Sequence, residues 1–404
     1  MMKISKTKFL SYLTYLNIFL LISTFYSVYE PIVYVVSIVL ISLTIAFGRF
    51  KIIGNNSVIL ILLIFSVLLS LLLSIDFKQS LIPSIYLCYL FFIAIVMAEN
   101  IQNIVLLERF IFYTILGFLI FNFRNFFADF SDIRFSGVTG QPNALGLVAG
   151  TGVAITILYL YICNNIGYFQ KIITFSVLFS GMYLVLISGS RGAFISLIVA
   201  IIYLSLKNFI KNIKFILIIC MAGIIAYNVF YETINQSPIY NRLLALPSAV
   251  GFNLPSANVE RDYEAAADDT RLNIADQAIE GFLAHPIWGN GISTFSHYSD
   301  FVYTHNSYLE IFYSLGIIGG FLYVLFLFKF LFIKITYEKS DLLIKKLVKG
   351  KNFIIIYFII AGFSIPNFQN KSQIAIYTIL LIMVVLIKKK FYFSNDYTYN
   401  KNLN

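Results

Sequence analysis

The sequence predicts an all-α polytopic membrane protein, and three observations carry that reading. Of its 404 residues, 59% are hydrophobic and 12% charged. The apolar residues run in long uninterrupted blocks rather than in an amphipathic rhythm. Lysines gather at alternate ends of those blocks, as expected for a chain threaded back and forth through a bilayer. A soluble domain carries about a quarter of its residues as charged groups and has no use for so much apolar surface.

A hydrocarbon layer requires about 20 apolar residues per helix. On that rule about twelve transmembrane helices are expected, near 8–27, 31–47, 56–75, 80–98, 104–122, 143–163, 171–188, 191–207, 212–230, 307–333, 352–366 and 372–387. The first block follows "MMKISKTK" without a small-residue cleavage site, so it is expected to stay as a helix. Cys88, Cys163 and Cys220 fall inside these blocks and read as small apolar packing. The organisation is then 1–230 for helices one to nine, 231–306 for one long outer loop, and 307–404 for helices ten to twelve with a tail.

With the N-terminus cytoplasmic, 21 of the 29 basic residues fall inside and 8 outside, which puts both termini in the cytoplasm. The positive excess is therefore a topology signal and a contact for membrane lipid head groups, and it does not argue for nucleic acid. A second asymmetry bears on function. Nineteen of the 21 inner residues are lysine, whereas 6 of the 8 outer ones are arginine. Arginine presents a planar fork of donors that grips phosphate or carboxylate at two points, so the outer face is expected to hold an anion. The plainer alternative is that these arginines snorkel at helix ends or pair with outer carboxylates.

Within the long loop, "DDTRLNIADQAIEGFLAHP" spaces Leu272, Ala275, Ala278, Ile279, Phe282 and Leu283 as one helical face that Pro286 closes. This predicts a short amphipathic helix over 270–284, followed by a turn punctuated by Gly289 and Gly291.

Three helix mouths on the outer side carry candidate chemistry. In "YTHNSYLEIF", Ser307 and Glu310 make a capping-box pattern with Ser307 at the N-cap. His305 then lies just before the helix, where the positive end of the dipole lowers its pKa and leaves a neutral imidazole competent as a base. An interfacial histidine bonded to backbone is the alternative reading. In "SGSRGAF", Gly189 ends the seventh span, Ser190 can cap the eighth and Arg191 falls in its first turn. A cation there calls for an anion, and free amides plus a guanidinium suit a phosphate. A tight turn with a snorkelling arginine would look the same. In "RFSGVTGQPNALG", Gly137 and Gly140 free the backbone, Pro142 and Asn143 open the sixth span, and Arg134 lies upstream. Arg271, on the amphipathic helix, is the fourth polar anchor.

These stretches, together with "TRLNIADQAIEGFLAHPIWGNGISTF" and "HNSYLEIFYSLGIIGG", occur in the order and spacing of the O-antigen ligase and O-antigen polymerase superfamily, which the chain resembles over roughly 134–320. The resemblance implies a C-type glycosyltransferase-like fold in the bacterial inner membrane. It also implies an inverting, metal-independent transfer, without a cofactor, of glycan from undecaprenyl diphosphate on the periplasmic side. It carries the catalytic histidine onto His305 and the diphosphate-binding arginines onto Arg134, Arg191 and Arg271. Family members often have tryptophan where Ile274 stands, a position expected to pack the surface helix.

A polymerase is expected, with undecaprenyl-diphosphate-linked oligosaccharide as substrate and a chain-length regulator protein as candidate partner. A ligase acting on lipid A-core is the alternative. From another class, a polysaccharide flippase or exporter would have about as many spans but would bury charges midway through several of them, and the mid-span regions here are almost free of charge.

Overall fold

The computed structural model describes residues 6–25, 27–48, 54–128, 135–209, 258–332 and 342–401. The expected span 212–230 and Arg134 lie outside them. The described chain is helical, with no strand. Its helices are α1 (Lys6–Ser23), α2 (Glu30–Ala46), α3 (Gly54–Leu72), α4 (Phe77–Asn100), α5 (Ile104–Asn125), α6 (Pro142–Ile162), α7 (Tyr168–Ser188), α8 (Arg191–Phe209), α9 (Asn258–Ala284), α10 (Ser307–Leu331), α11 (Leu342–Ala361) and α12 (Ser372–Lys401).

Among the described helices, α4, α5, α6, α7 and α10 are long and apolar enough to cross a membrane, while apolar stretches in α2, α3, α8 and α12 are shorter. Length and apolarity thus support a helical membrane protein, and do not by themselves reach the expected count of twelve spans.

Two helices form the centre. Nearly every residue of α6 is buried, as is almost all of α12 from Ser372 to Val384, which fits helices that are apolar on every side. Small residues let neighbours approach α6 closely. A methyl group at Gly152 would meet Phe118 of α5 at 2.8 Å, and one at Gly181 of α7 would meet Val153 at 2.7 Å. Polar side chains pair across helices as well: Gln373 Nε2 donates to Thr151 Oγ1 (2.9 Å), and Asn17 Nδ2 donates to Ser37 Oγ (2.6 Å). On the outside, Val35 and Ile38 of α2, Phe65 of α3 and Phe179 of α7 are exposed. Such an apolar belt belongs against lipid tails.

The structure corrects three expectations about the last third. First, the surface helix is longer than 270–284, because α9 begins at Asn258. Among its residues of described burial, Ile274, Ala278 and Gly281 are buried, with Ile274 and Ala278 packed against Phe295 and Tyr313, whereas Leu272, Ile279 and Leu283 of the expected apolar face are exposed. Ile274 does pack the helix.

Second, the tenth span is interrupted. Gly316 has φ 65° and ψ −166°, a region open essentially to glycine alone. The 286–291 turn fills the break: Asn290 N–H donates to Tyr313 O (2.9 Å), Gly291 N–H to Ser314 O (3.0 Å), and Ile317 N–H to Pro286 O (2.8 Å). Backbone groups freed at the kink are thereby satisfied. Gly289 and Gly316 permit this contact, since a Cβ on either would overlap the backbone of the other segment. Third, Ser307 is not the cap of α10. That role falls to Asn306, whose side-chain oxygen accepts from the amides of Tyr308 (2.8 Å) and Leu309 (3.3 Å).

Candidate active site

With Asn306 as cap, Ser307 is free to bond elsewhere, and its contacts organise the site. Its amide donates to Gly362 O (2.7 Å), and its hydroxyl bonds to Ile365 O (2.9 Å) and Asn367 Oδ1 (2.7 Å). The mouth of α10 is thus fastened to the turn between α11 and α12. The same turn reaches the mouth of α8, where a Cβ on Gly192 would overlap Ser364. The mouth of α6 abuts that of α8, since a Cβ on Gly146 would overlap Ser190, the residue before α8. Phe135 N–H, the residue after Arg134, donates to Ile187 O (3.3 Å) at the end of α7. The three mouths picked out in the sequence therefore lie at one end of the bundle, joined by residues 361–367, a segment that sequence reading passed over.

His305 sits just outside α10. Its φ is +55°, uncommon for a residue with a Cβ and costly by about 1–3 kcal/mol. Neighbouring bonds impose that shape. Thr304 N–H donates to the Glu310 carboxylate (2.8 Å) and Thr304 Oγ1 donates to Asn306 O (2.8 Å). Glu310 thus takes the Thr304 amide instead of closing a capping box with Ser307, whose own amide goes to Gly362 O. The imidazole is half-buried between Tyr303 (ring centroids 4.5 Å) and Phe301 (6.1 Å). Burial pushes its pKa below the ordinary histidine value of 6.5, and the positive charge of Arg271 pushes it the same way. The direction is the one expected from the helix dipole; the causes are desolvation first and a guanidinium second. At neutral pH the ring is an uncharged base.

Arg271, an exposed residue of α9, therefore stands within electrostatic reach of His305. Arg191 is half-buried at the start of α8. Gly189 before it adopts the left-handed conformation (φ 63°) that ends α7, and Ser190 O accepts from Phe194 N–H (3.1 Å). Gly192, the residue after Arg191, lies against Ser364 of the turn that Ser307 bonds at Ile365. Gly140 closes its own turn at φ 67°, and Pro142 takes the first helical position of α6, where its missing N–H costs nothing.

Beside this assembly is a cavity of about 460 Å³, lined from five loops and helix ends by residues that include Glu30, Gln141, Tyr303, Glu310, Gln369 and Lys371. Lys371 forms an ion pair with Glu30 and lies over the rings of Phe25 (5.4 Å), Tyr34 (5.8 Å) and Tyr86 (5.9 Å). Burial pushes its pKa down to about 8. Nothing local in the sequence marks Lys371 as special except that Asn367–Lys371 is a polar run in an apolar C-terminal third.

Residues 175–324 match the family model described as O-antigen ligase. The match spans 150 of the chain's 404 residues. That match takes in the later two thirds of α7, α8, α9, Arg191, Arg271, His305 and the broken part of α10, and supports the O-antigen ligase/polymerase superfamily. It is narrower at its start than the stretch the sequence resembles, leaving Arg134 outside. Glu30 and Lys371 also lie beyond it. No curated protein matches the chain.

Proposed function

We propose that this protein is a surface-polysaccharide polymerase that transfers glycan from undecaprenyl diphosphate to a hydroxyl of another lipid-linked repeat unit, on the outer side of the cytoplasmic membrane. One observation carries the proposal: a half-buried imidazole, kept uncharged by desolvation and by Arg271, is held at the mouth of a membrane helix inside the O-antigen ligase match.

The chemistry follows from these groups. His305 takes the proton of the acceptor hydroxyl as its oxygen attacks the anomeric carbon; a positioned base of this kind contributes about 10²–10⁴ in rate. The new glycosidic C–O bond forms on the face opposite the departing oxygen, so the configuration inverts. The bond to the diphosphate breaks, and undecaprenyl diphosphate leaves with the bonding electrons. Arg271, Arg191 and the amides at the start of α8 stabilise the negative charge that develops on the leaving group, with Arg134 as a further candidate. Proton and charge both end on groups suited to them, the imidazole and the guanidinium cluster.

The test is reconstitution of the full-length protein with lipid-linked repeat units in detergent, reading product length on gels. A ladder is expected from the native protein and none from His305→Ala at equal expression. A ladder from His305→Ala would refute the base assignment, and unchanged substrate from the native protein would favour transport, since detergent leaves no membrane to move it across. The family model's own description names a ligase. The same assay with a lipid A-core acceptor discriminates: transfer of polymer to that acceptor, without extension of repeat units, would make the protein a ligase.

A further inference from the structure

The cavity beside His305 differs in chemistry from the arginine-bearing mouths. Among the described residues its lining holds one cation, Lys371, already matched by Glu30, and no arginine. Among the described lining residues the carboxylates Glu30 and Glu310 outnumber the one cation, which disfavours a diphosphate. Polar groups of Gln141, Gln369 and the clamped Lys371–Glu30 pair line it together with apolar and aromatic ones of Phe25, Val302, Ile365 and Pro366. The side-chain nitrogen of Gln369 is buried without a hydrogen-bond partner among the described residues, and such a donor is costly unless a ligand takes it up. A volume of about 460 Å³ lies inside the range of about 300–1,000 Å³ typical of small-molecule sites.

We propose that this cavity is a binding site for a neutral saccharide and, given the transferase reading above, the subsite that receives the acceptor sugar. A pyranose has a polar rim of hydroxyls and an apolar face of C–H groups, which suits a chamber lined by amide, charged, aromatic and aliphatic groups together. Lys371 is fixed by its carboxylate and three ring faces, so its remaining N–H donors are preorganised at little entropic cost. Tyr303 lines the cavity and also packs against the His305 ring, so a sugar held here is one side chain from the base. Most of the polar lining, including Glu30, Gln141, Gln369 and Lys371, falls outside residues 175–324. Sugar preference is then a property of this chain rather than of the matched segment.

The experiment uses full-length protein in nanodiscs. Binding of methyl glycosides of glucose, galactose and N-acetylglucosamine is followed by saturation-transfer NMR, with methyl glucuronide as the acidic probe and inorganic pyrophosphate followed by thermal protection. Two variants are compared with the native chain: Gln369→Leu, which removes the unpaired donor, and Ala144→Leu, which fills the cavity from α6. At least one neutral glycoside is expected to bind. Both variants should weaken it about tenfold, the equivalent of about 1.4 kcal/mol, raise KM for the acceptor and leave pyrophosphate protection unchanged. Loss of pyrophosphate protection, preference for the glucuronide, no neutral binding to the native protein, or unaltered sugar binding in whichever variant folds would each overturn the inference. A His305→Ala ladder alongside normal sugar binding would instead sink the transferase reading and leave the saccharide site standing.

Discussion

The contact between Gly316 and the 286–291 turn can be probed with one methyl group. In Gly316→Ala the new Cβ would stand 2.6 Å from Gly289 N and overlap Ile287 O, neither of which can move without giving up the turn. The conformation at φ 65°, ψ −166° adds about 1–3 kcal/mol for a residue with a Cβ. Displacing the turn would also sacrifice up to three backbone hydrogen bonds, to Tyr313 O, Ser314 O and from Ile317 N–H, at about 1 kcal/mol each. Gly48→Ala provides the control, since Gly48 has φ +64° and nothing within 4 Å of an added Cβ; it should cost about 1–2 kcal/mol. Gly316→Ala is therefore expected to destabilise by about 2–3 kcal/mol more than Gly48→Ala, measured as denaturant midpoint and Tm in the same detergent. It should also lower transfer, because the turn leads directly to the segment carrying His305. Equal destabilisation by the two variants would show that the close approach contributes nothing and that the turn does not depend on the break.

The remaining predictions concern the site. Because the His305 pKa lies below 6.5, transfer should hold as pH falls to 6.5 and decline only beneath it; a midpoint above 6.5 would contradict the buried, Arg271-facing ring. The sign for stability is the same: the unfolded chain takes up the proton first as pH falls, so the native state loses stability through that window. Arg271→Ala removes one of the two causes and should move the acid limb toward higher pH while raising KM; an unmoved limb would mean the charge does not reach the ring. Asn306→Ala should cost about 1 kcal/mol through the lost cap of α10, read as a lowered Tm. Glu310→Ala leaves Thr304 N–H buried without an acceptor, at about 1–3 kcal/mol, and should lower kcat more than it raises KM. Glu310→Gln, which retains an oxygen, should recover most of it, and equal loss in both would point to charge rather than positioning.

Sequence alone singled out the mouth of α10 as a candidate site, because a histidine, an N-cap residue and a glutamate within six positions have few uses at the end of an apolar block. The cap itself slipped by one residue. Asparagine and serine are both good caps, and only the bonds of Ser307 to Ile365 and Asn367 show why the asparagine takes the task. The break at Gly316 was hidden for a different reason: "SLGIIGG" is apolar enough to read as uninterrupted helix, and what interrupts it is a partner some 27 residues earlier in the chain. The same holds for residues 361–371, whose contacts with α8, α10 and the α1–α2 connection span separations that periodicity does not register. The side of α9 that packs was also misjudged, since its exposed Leu272, Ile279 and Leu283 fall on the apolar stripe and only the position of Tyr313 selects the neighbouring one.

The strained turn at His305 makes sense in terms of where the surrounding chain is held. Residues 293–305 contain both non-glycine residues of positive φ among those described, Ser293 (62°) at one end and His305 (55°) at the other. Each strained point lies next to a fixed one. Gln79 of α4 donates to Ser293 O (2.6 Å), Thr294 is bonded to Tyr313 of α10 (3.3 Å), and Thr304 is bonded to Glu310 (2.8 Å). The segment is thus stretched between two helices that pack on a third, α3, and its ends have no freedom to relax into ordinary backbone regions. Strain persists only where the surroundings over-determine it, and here the over-determined group is the imidazole that the proposed transfer would place within hydrogen-bond reach of its acceptor. A base carried on a loose loop would spend most of its time elsewhere, whereas one locked between α4 and α10 is placed before any sugar arrives.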